Sequence, residues 1–260
     1  PHVVPVHDAG DGYFVMRRVR GHALIDLLER DTELGHLVEI LIKVAAALAY
    51  AHHRGVIHRD IKPDNIMVGQ HGEVLLVDWG LAARLRSDGR ADLPRRAAAC
   101  GTPSYLAPEM ALAEPDRIGP ATDVYLLGAT LYRILTGQPP HDADSISRSV
   151  IKAVDNRPMP IMDLAPDAPR ALCACAEAAM ADSAADRPTP EAFADRLRAW
   201  LVSQNDAAEA DRLIARAHHT LDTGPDGYAP LAAAAADLRR AHALDPRRDE
   251  IGSLQSRLEQ

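Results

Sequence analysis

The chain has 260 residues, 47% apolar and 25% charged, with a formal net charge of −8 and only 4% aromatics. That length suits one sizeable domain plus an appendage with an aliphatic, helix-rich core, and the acidic balance leaves no footprint for nucleic acid. Cys100, Cys173 and Cys175 form no disulfide framework, and a lone C-x-C without a second pair or nearby His is a weak metal site, so they read as reduced thiols of a cytoplasmic chain.

No run reads as a signal peptide or a membrane segment. The first residue is Pro rather than Met, which points to a fragment or a processed product. Val3-Val4-Pro5-Val6-His7 and Tyr13-Phe14-Val15-Met16 predict two short strands around the turn-prone Asp8-Ala9-Gly10-Asp11-Gly12. Leu24, Leu27 and Leu28 set a helical stripe over 23–30, and Asp31-Thr32-Glu33-Leu34 reads as a capped restart. Leu37, Ile40, Leu41, Val44 and Leu48 predict a long helix over 37–54, stopped by Gly55. His52 and His53 near its end read as packed or capping residues, with a ligand role as the alternative.

Residues 122–137 predict a nearly all-apolar helix ending in Gly137. Asp123 stands near its start, where free amides and the helix dipole favour a carboxylate. Pro139-Pro140-His141 opens a loop, and 192–202 gives the last helix of the main domain. Ser203-Gln204-Asn205-Asp206 reads as a boundary and cap. Beyond it, helices are expected over 207–221 and 231–244, separated by Thr223-Gly224-Pro225-Asp226-Gly227, with a third over 249–259.

The chemistry concentrates in His58-Arg59-Asp60-Ile61-Lys62-Pro63-Asp64-Asn65, followed by Val77-Asp78-Trp79-Gly80. Carboxylates, an ammonium and an amide at fixed offsets on loops between short strands can hold a metal-bound triphosphate. Singly, each is usually a solvated or capping residue, and the joint spacing carries the reading. H-R-D-x-K-x-x-N resembles the catalytic loop of protein kinases, and D-W-G their D-F-G metal motif with Trp for Phe. Gly101-Thr102-Pro103-Ser104-Tyr105-Leu106-Ala107-Pro108-Glu109 is similar to the end of a kinase activation segment. The resemblance, to bacterial-type serine/threonine protein kinases, covers roughly residues 1–201.

It implies an α+β, protein-kinase-like fold: mostly the helical large lobe, a remnant of the small-lobe sheet, and an α-helical tail. The implied divisions are 1–22 (end of the small lobe and hinge), 23–202 (large lobe) and 203–260 (tail). Met16 matches the gatekeeper, and the backbone of Arg17 and Val19 the adenine-facing hinge. Met67 would pack beneath adenine, and Val77 on the pocket wall. Asp60 would orient the attacking hydroxyl and accept its proton; Lys62 would offset charge on the γ-phosphate. Asn65 and Asp78 would supply oxygens to Mg²⁺. Thr102 matches the threonine that bonds the catalytic Asp and Lys, and Asp123 the residue that ties down the catalytic loop. Glu109 and Arg187 would form a buried ion pair. Arg59 matches the arginine that often holds an activation-loop phosphate, yet Ser87 is the only hydroxyl residue between Asp78 and Thr102. The arginines of that segment read either as a solvated loop or as phosphate binders.

No glycine-rich loop, strand-three lysine or C-helix glutamate is recognised, and the first lysine is Lys43. These residues alone are therefore expected to turn over far below the ~1–100 s⁻¹ usual for kinases. The implied reaction is transfer from Mg-ATP to protein Ser/Thr. The alternatives are an inactive pseudokinase-like scaffold and a small-molecule kinase. The tail ends Ala243-Leu244-Asp245-Pro246, similar to a tetratricopeptide-type repeat. It reads as the start of an array that binds a protein partner, or as a packed tail or linker.

Overall fold

The computed structural model describes residues 2–10, 13–30, 32–223 and 228–258. Asp11-Gly12 of the expected turn, Asp31 of the expected cap and 224–227 of the expected separator lie outside the described residues. The chain divides into two compact units, Pro1–Arg198 and Ala199–Gln260.

In the first unit, β1 (Val6–Gly10) pairs antiparallel with β2 (Tyr13–Met16). The expected strand over 3–7 begins later because Pro5 has no N–H to give a ladder. The Pro5 carbonyl instead accepts the Arg17 N–H at 3.0 Å. Next, β3 (Gly21–Ala23) leads into α1 (Leu24–Leu28), where Asp26 accepts the Ala23 N–H at 3.0 Å. Thr32 does not cap the following helix: its hydroxyl donates to the Leu27 carbonyl at 2.8 Å.

That following helix, α2 (Leu34–His53), is long and apolar enough to cross a membrane by length and composition, contrary to the sequence reading. Leu37, Val38, Ile40, Leu41, Val44, Ala45, Ala47, Leu48 and Ala51 are buried within the protein, as in the core helix of a folded unit. Short strands then frame the motif loops: β4 (Val56–Ile57), β5 (Ile66–Gly69), β6 (Val74–Leu76) and β7 (Ala83–Arg84). β5 pairs with β3 and β6, and β4 with β7, all antiparallel.

The short helices α3 (Arg95–Ala98) and α4 (Pro108–Ala111) precede α5 (Pro120–Thr136), which is buried without a break from Thr122 to Tyr132. Gly137 ends α5 at φ 77°, a backbone state that suits glycine. Three further helices follow, α6 (Ile146–Asp155), α7 (Ile161–Leu164) and α8 (Arg170–Ala179). A Cβ on Gly128 of α5 would lie 2.6 Å from the Ala179 Cβ, so glycine lets α8 come close. Cys173 and Cys175 sit buried on α8 as free thiols, and burial pushes the Cys175 thiol up to about 11.

The expected cap at Ser203–Asp206 does not interrupt the helix: α9 (Pro190–Asp222) runs through it. No Gly or Pro interrupts 191–222, and Ser, Gln, Asn and Asp cost a helix only tenths of a kcal/mol each, about 0.7 at most. Ser203 bonds back to the Trp200 carbonyl at 2.7 Å rather than capping a new helix. The second unit also holds α10 (Tyr228–Leu244) and α11 (Asp249–Leu258). Its core joins Leu213, Ile214 and Ala217 of α9, Leu238 and Ala241 of α10, and Ile251 and Leu254 of α11.

Candidate active site

Asp60 stands at the centre, three residues after the Ile57 end of β4. Its Oδ1 accepts the Thr102 hydroxyl at 2.8 Å and the Thr102 N–H at 3.1 Å. Its Oδ2 accepts the Asn65 Nδ2 at 3.0 Å and faces the Lys62 ammonium at 3.5 Å. Lys62 Nζ donates to the Thr102 hydroxyl oxygen at 2.7 Å. One hydroxyl therefore links acid and base, accepting from Lys62 and donating to Asp60. Asn65 Nδ2 also donates to the Asp60 carbonyl at 2.7 Å, which leaves the amide oxygen as the free end of that side chain.

The loop carrying these groups is fixed from below by Asp123, which is wholly buried. Its two oxygens accept the His58 and Arg59 N–H groups, each at 2.8 Å, and the His52 Nε2 at 2.8 Å. Arg59 has φ 74°, strained for a non-glycine residue, and the two amide bonds hold it there. His58 is buried between two backbone partners: Nε2 donates to the Val77 carbonyl at 3.0 Å and Nδ1 accepts the Asp60 N–H at 3.2 Å. Burial holds its pKa below the ordinary histidine value, consistent with that neutral tautomer. The Trp79 ring meets His58 edge-on at 4.6 Å, so the unusual Trp of D-W-G packs on the catalytic loop. His52 reads from the sequence as a packed or capping residue, with a ligand role as the alternative. Its link to Asp123 spans 71 positions and has no local sequence signal.

Asp78 follows β6 in the left-handed region, φ 59° and ψ 67°, and is exposed. Its Oδ1 accepts the Gly80 N–H at 3.3 Å. The Val77 N–H donates to the Asn65 carbonyl at 2.9 Å, which brings the Asp78 and Asn65 segments together. A free amide oxygen beside an exposed carboxylate is a hard-oxygen donor set that fits Mg²⁺. Met16, Val77 and Asp78 line one cavity of about 450 Å³ together with Val3, Val4, Trp79 and Gly80. Met16 is 46% exposed there, not a core residue. Arg17 and Val19 line a different, smaller cavity. Because Pro5 takes the Arg17 N–H, only the carbonyl of Arg17 is left for a nucleotide. Met67, half-buried on β5 opposite Ala23 and Leu75, is not among the residues that line the larger cavity.

Residues 5–197 match the model of the protein kinase domain. The chain belongs to the protein kinase family. It is 37% identical over 84% of its length to a probable serine/threonine-protein kinase of Corynebacterium efficiens, covering 34% of that protein. It is 33% identical over 85% of its length to the serine/threonine-protein kinase PknB of Mycolicibacterium smegmatis, covering 36% of it. A probable serine/threonine-protein kinase PknB of Corynebacterium glutamicum is 34% identical over 86% of the chain. The chain thus spans about a third of the length of the curated relatives it matches.

In this kinase-family chain Arg59 holds the segment between Asp78 and Thr102 through backbone carbonyls. Arg59, nearly fully buried, donates to the Leu81 carbonyl at 3.1 Å and to the Ala97 carbonyl. Burial holds its pKa below the usual arginine value, an effect that nearby Cys100 opposes. The expected Glu109–Arg187 pair forms as a two-pronged, desolvated contact at 2.7 and 3.0 Å. Thr122 donates to the same Glu109 oxygen at 2.8 Å, and the guanidinium lies 4.9 Å over the Tyr125 ring.

Proposed function

We propose that this chain carries the catalytic centre of a serine/threonine protein kinase that transfers the γ-phosphoryl group of Mg-ATP to protein hydroxyls. The single observation that carries the reading is the Thr102 hydroxyl bonded to both Asp60 and Lys62. Asp60 is held at both oxygens yet keeps acceptor capacity on Oδ2, where it would take the proton of an incoming hydroxyl. Lys62 would offset charge at the transferring group. Asn65 and Asp78 would hold Mg²⁺, which when bound supplies charge neutralisation to the phosphates. Met16 and Val77 would form the nucleotide's apolar wall, with the Arg17 carbonyl and Val19 backbone at the adenine edge and Met67 beneath it. The work would be cytoplasmic, where ATP is at hand, and the free thiols of Cys100, Cys173 and Cys175 support that reading.

The test is γ-phosphate transfer to a generic protein substrate by the full-length protein and its Asp60→Asn form. The expected result is transfer that falls about 10²–10⁴-fold with the substitution, the usual worth of a general base. Equal transfer by the two folded proteins would overturn the assignment of Asp60.

A further inference from the structure

The sequence places three arginines in four positions where β2 ends: Arg17, Arg18 and Arg20. Nothing in the phosphoryl-transfer centre uses their side chains. All three line a concavity of about 260 Å³ with Val19, Gln70, His71, Glu73 and Leu75. It shares no lining residue with the cavity at Asp78. We propose that this outer face of the hinge is a binding site for a phosphoryl dianion, held by the Arg17, Arg18 and Arg20 guanidinium groups with His71.

The argument is one of unspent charge. Among the described residues, none of the three guanidinium groups has an ion pair or hydrogen bond to a protein group. Several exposed arginines elsewhere are paired, such as Arg86 with Asp116 at 3.0 Å and Arg257 with Asp222 at 2.7 Å; what sets these three apart is that they line one concavity. The only carboxylate in the lining, Glu73, is spent on the turn between β5 and β6, where its Oε2 accepts the His71 N–H at 3.0 Å. Backbone amides, with a smaller contribution from Arg17, hold the Glu73 pKa below the usual carboxylate value. Three cations thus face one committed anion. Arginine forks match the oxygens of a phosphoryl group in pairs, and three forks exceed what one carboxylate can accept. The Arg17 and Arg20 backbones are already fixed, by Arg17 N–H to Pro5 at 3.0 Å and by Gln70 N–H to the Arg20 carbonyl at 3.3 Å, so the clamp rests on a preformed frame.

Free phosphates and a phosphorylated protein side chain present the same chemistry. The experiment therefore titrates the intact protein, in magnesium-free buffer, with pyrophosphate, with a phosphoserine peptide and with the same peptide unphosphorylated. It is repeated with Arg18→Glu/Arg20→Glu and with Asp78→Asn; Arg17 is left intact because its carbonyl is proposed for the adenine edge. Saturable binding of pyrophosphate or the phosphopeptide is expected, weakened about tenfold or more by the arginine reversals, the scale of two charge-assisted hydrogen bonds. Asp78→Asn should not weaken it, which separates this site from the nucleotide cleft. Preference for the phosphopeptide over its unphosphorylated twin would assign the source to a protein, and binding of pyrophosphate alone to free phosphates. Equal binding by wild type and the reversal variant, both with unchanged thermal unfolding, would overturn the proposal, as would no saturable binding at all.

Discussion

The two halves of the active site are built differently. On the side of Asp60, the loop from His58 to Asn65 is anchored by Asp123, Thr102 and the Val77 carbonyl. On the side of Asp78, the carboxylate is exposed and holds one backbone amide at 3.3 Å. The difference shows where preorganisation is invested. In the proposed reading, the groups that would meet a hydroxyl and a transferring phosphoryl are fixed before anything binds. Asp78, which with Asn65 would meet a cation, is left more open.

The largest effect expected on the fixed half comes from its platform. Arg187→Ala strands the buried Glu109 carboxylate and should cost about 3–5 kcal/mol, read as a drop in denaturation midpoint. A loss under about 1 kcal/mol would mean the pair is effectively solvated. A second expectation is a pH dependence. Burial, and secondarily Lys152, hold the His141 pKa down to about 4 against an ordinary 6.5. The unfolded chain therefore binds more protons than the folded one between those values, so stability falls as pH drops from 6.5 towards 4. His58 is shifted in the same direction by burial. The loss from His141 is about 3 kcal/mol. Acid unfolding followed by circular dichroism, with His141→Gln as the comparison, should show the slope shrink in the variant. The smallest stability effect belongs to the open half. Asp78→Asn should change stability by under about 0.5 kcal/mol, as exposed positions do, while abolishing the gain in thermal stability that Mg-ATP gives the wild type.

The same contrast explains how much could be read from the sequence. The motif spacing made Asp60, Lys62, Asn65 and Thr102 legible together, because the loop encodes its own geometry and the pairing with Thr102 comes with the family pattern. The long helices were legible through the stripes of α2 and α5. His52 and the role of Trp79 were not legible, since each acts through a partner far along the chain or through packing of an atypical residue. The continuity of α9 was missed because four polar residues look like a cap, although only Gly or Pro would have forced a break. The hinge arginines could be seen but not interpreted: that their charges are left unpaired is a property of the folded surface.

The account is tested most directly by hydrogen exchange at individual backbone amides, with and without Mg-ATP. It predicts that His58 and Arg59, bonded to buried Asp123, are strongly protected in both states, and that Gly80 gains protection only when Mg-ATP binds. Rapid exchange of His58 and Arg59 in the free protein would contradict a centre fixed in advance of its substrate.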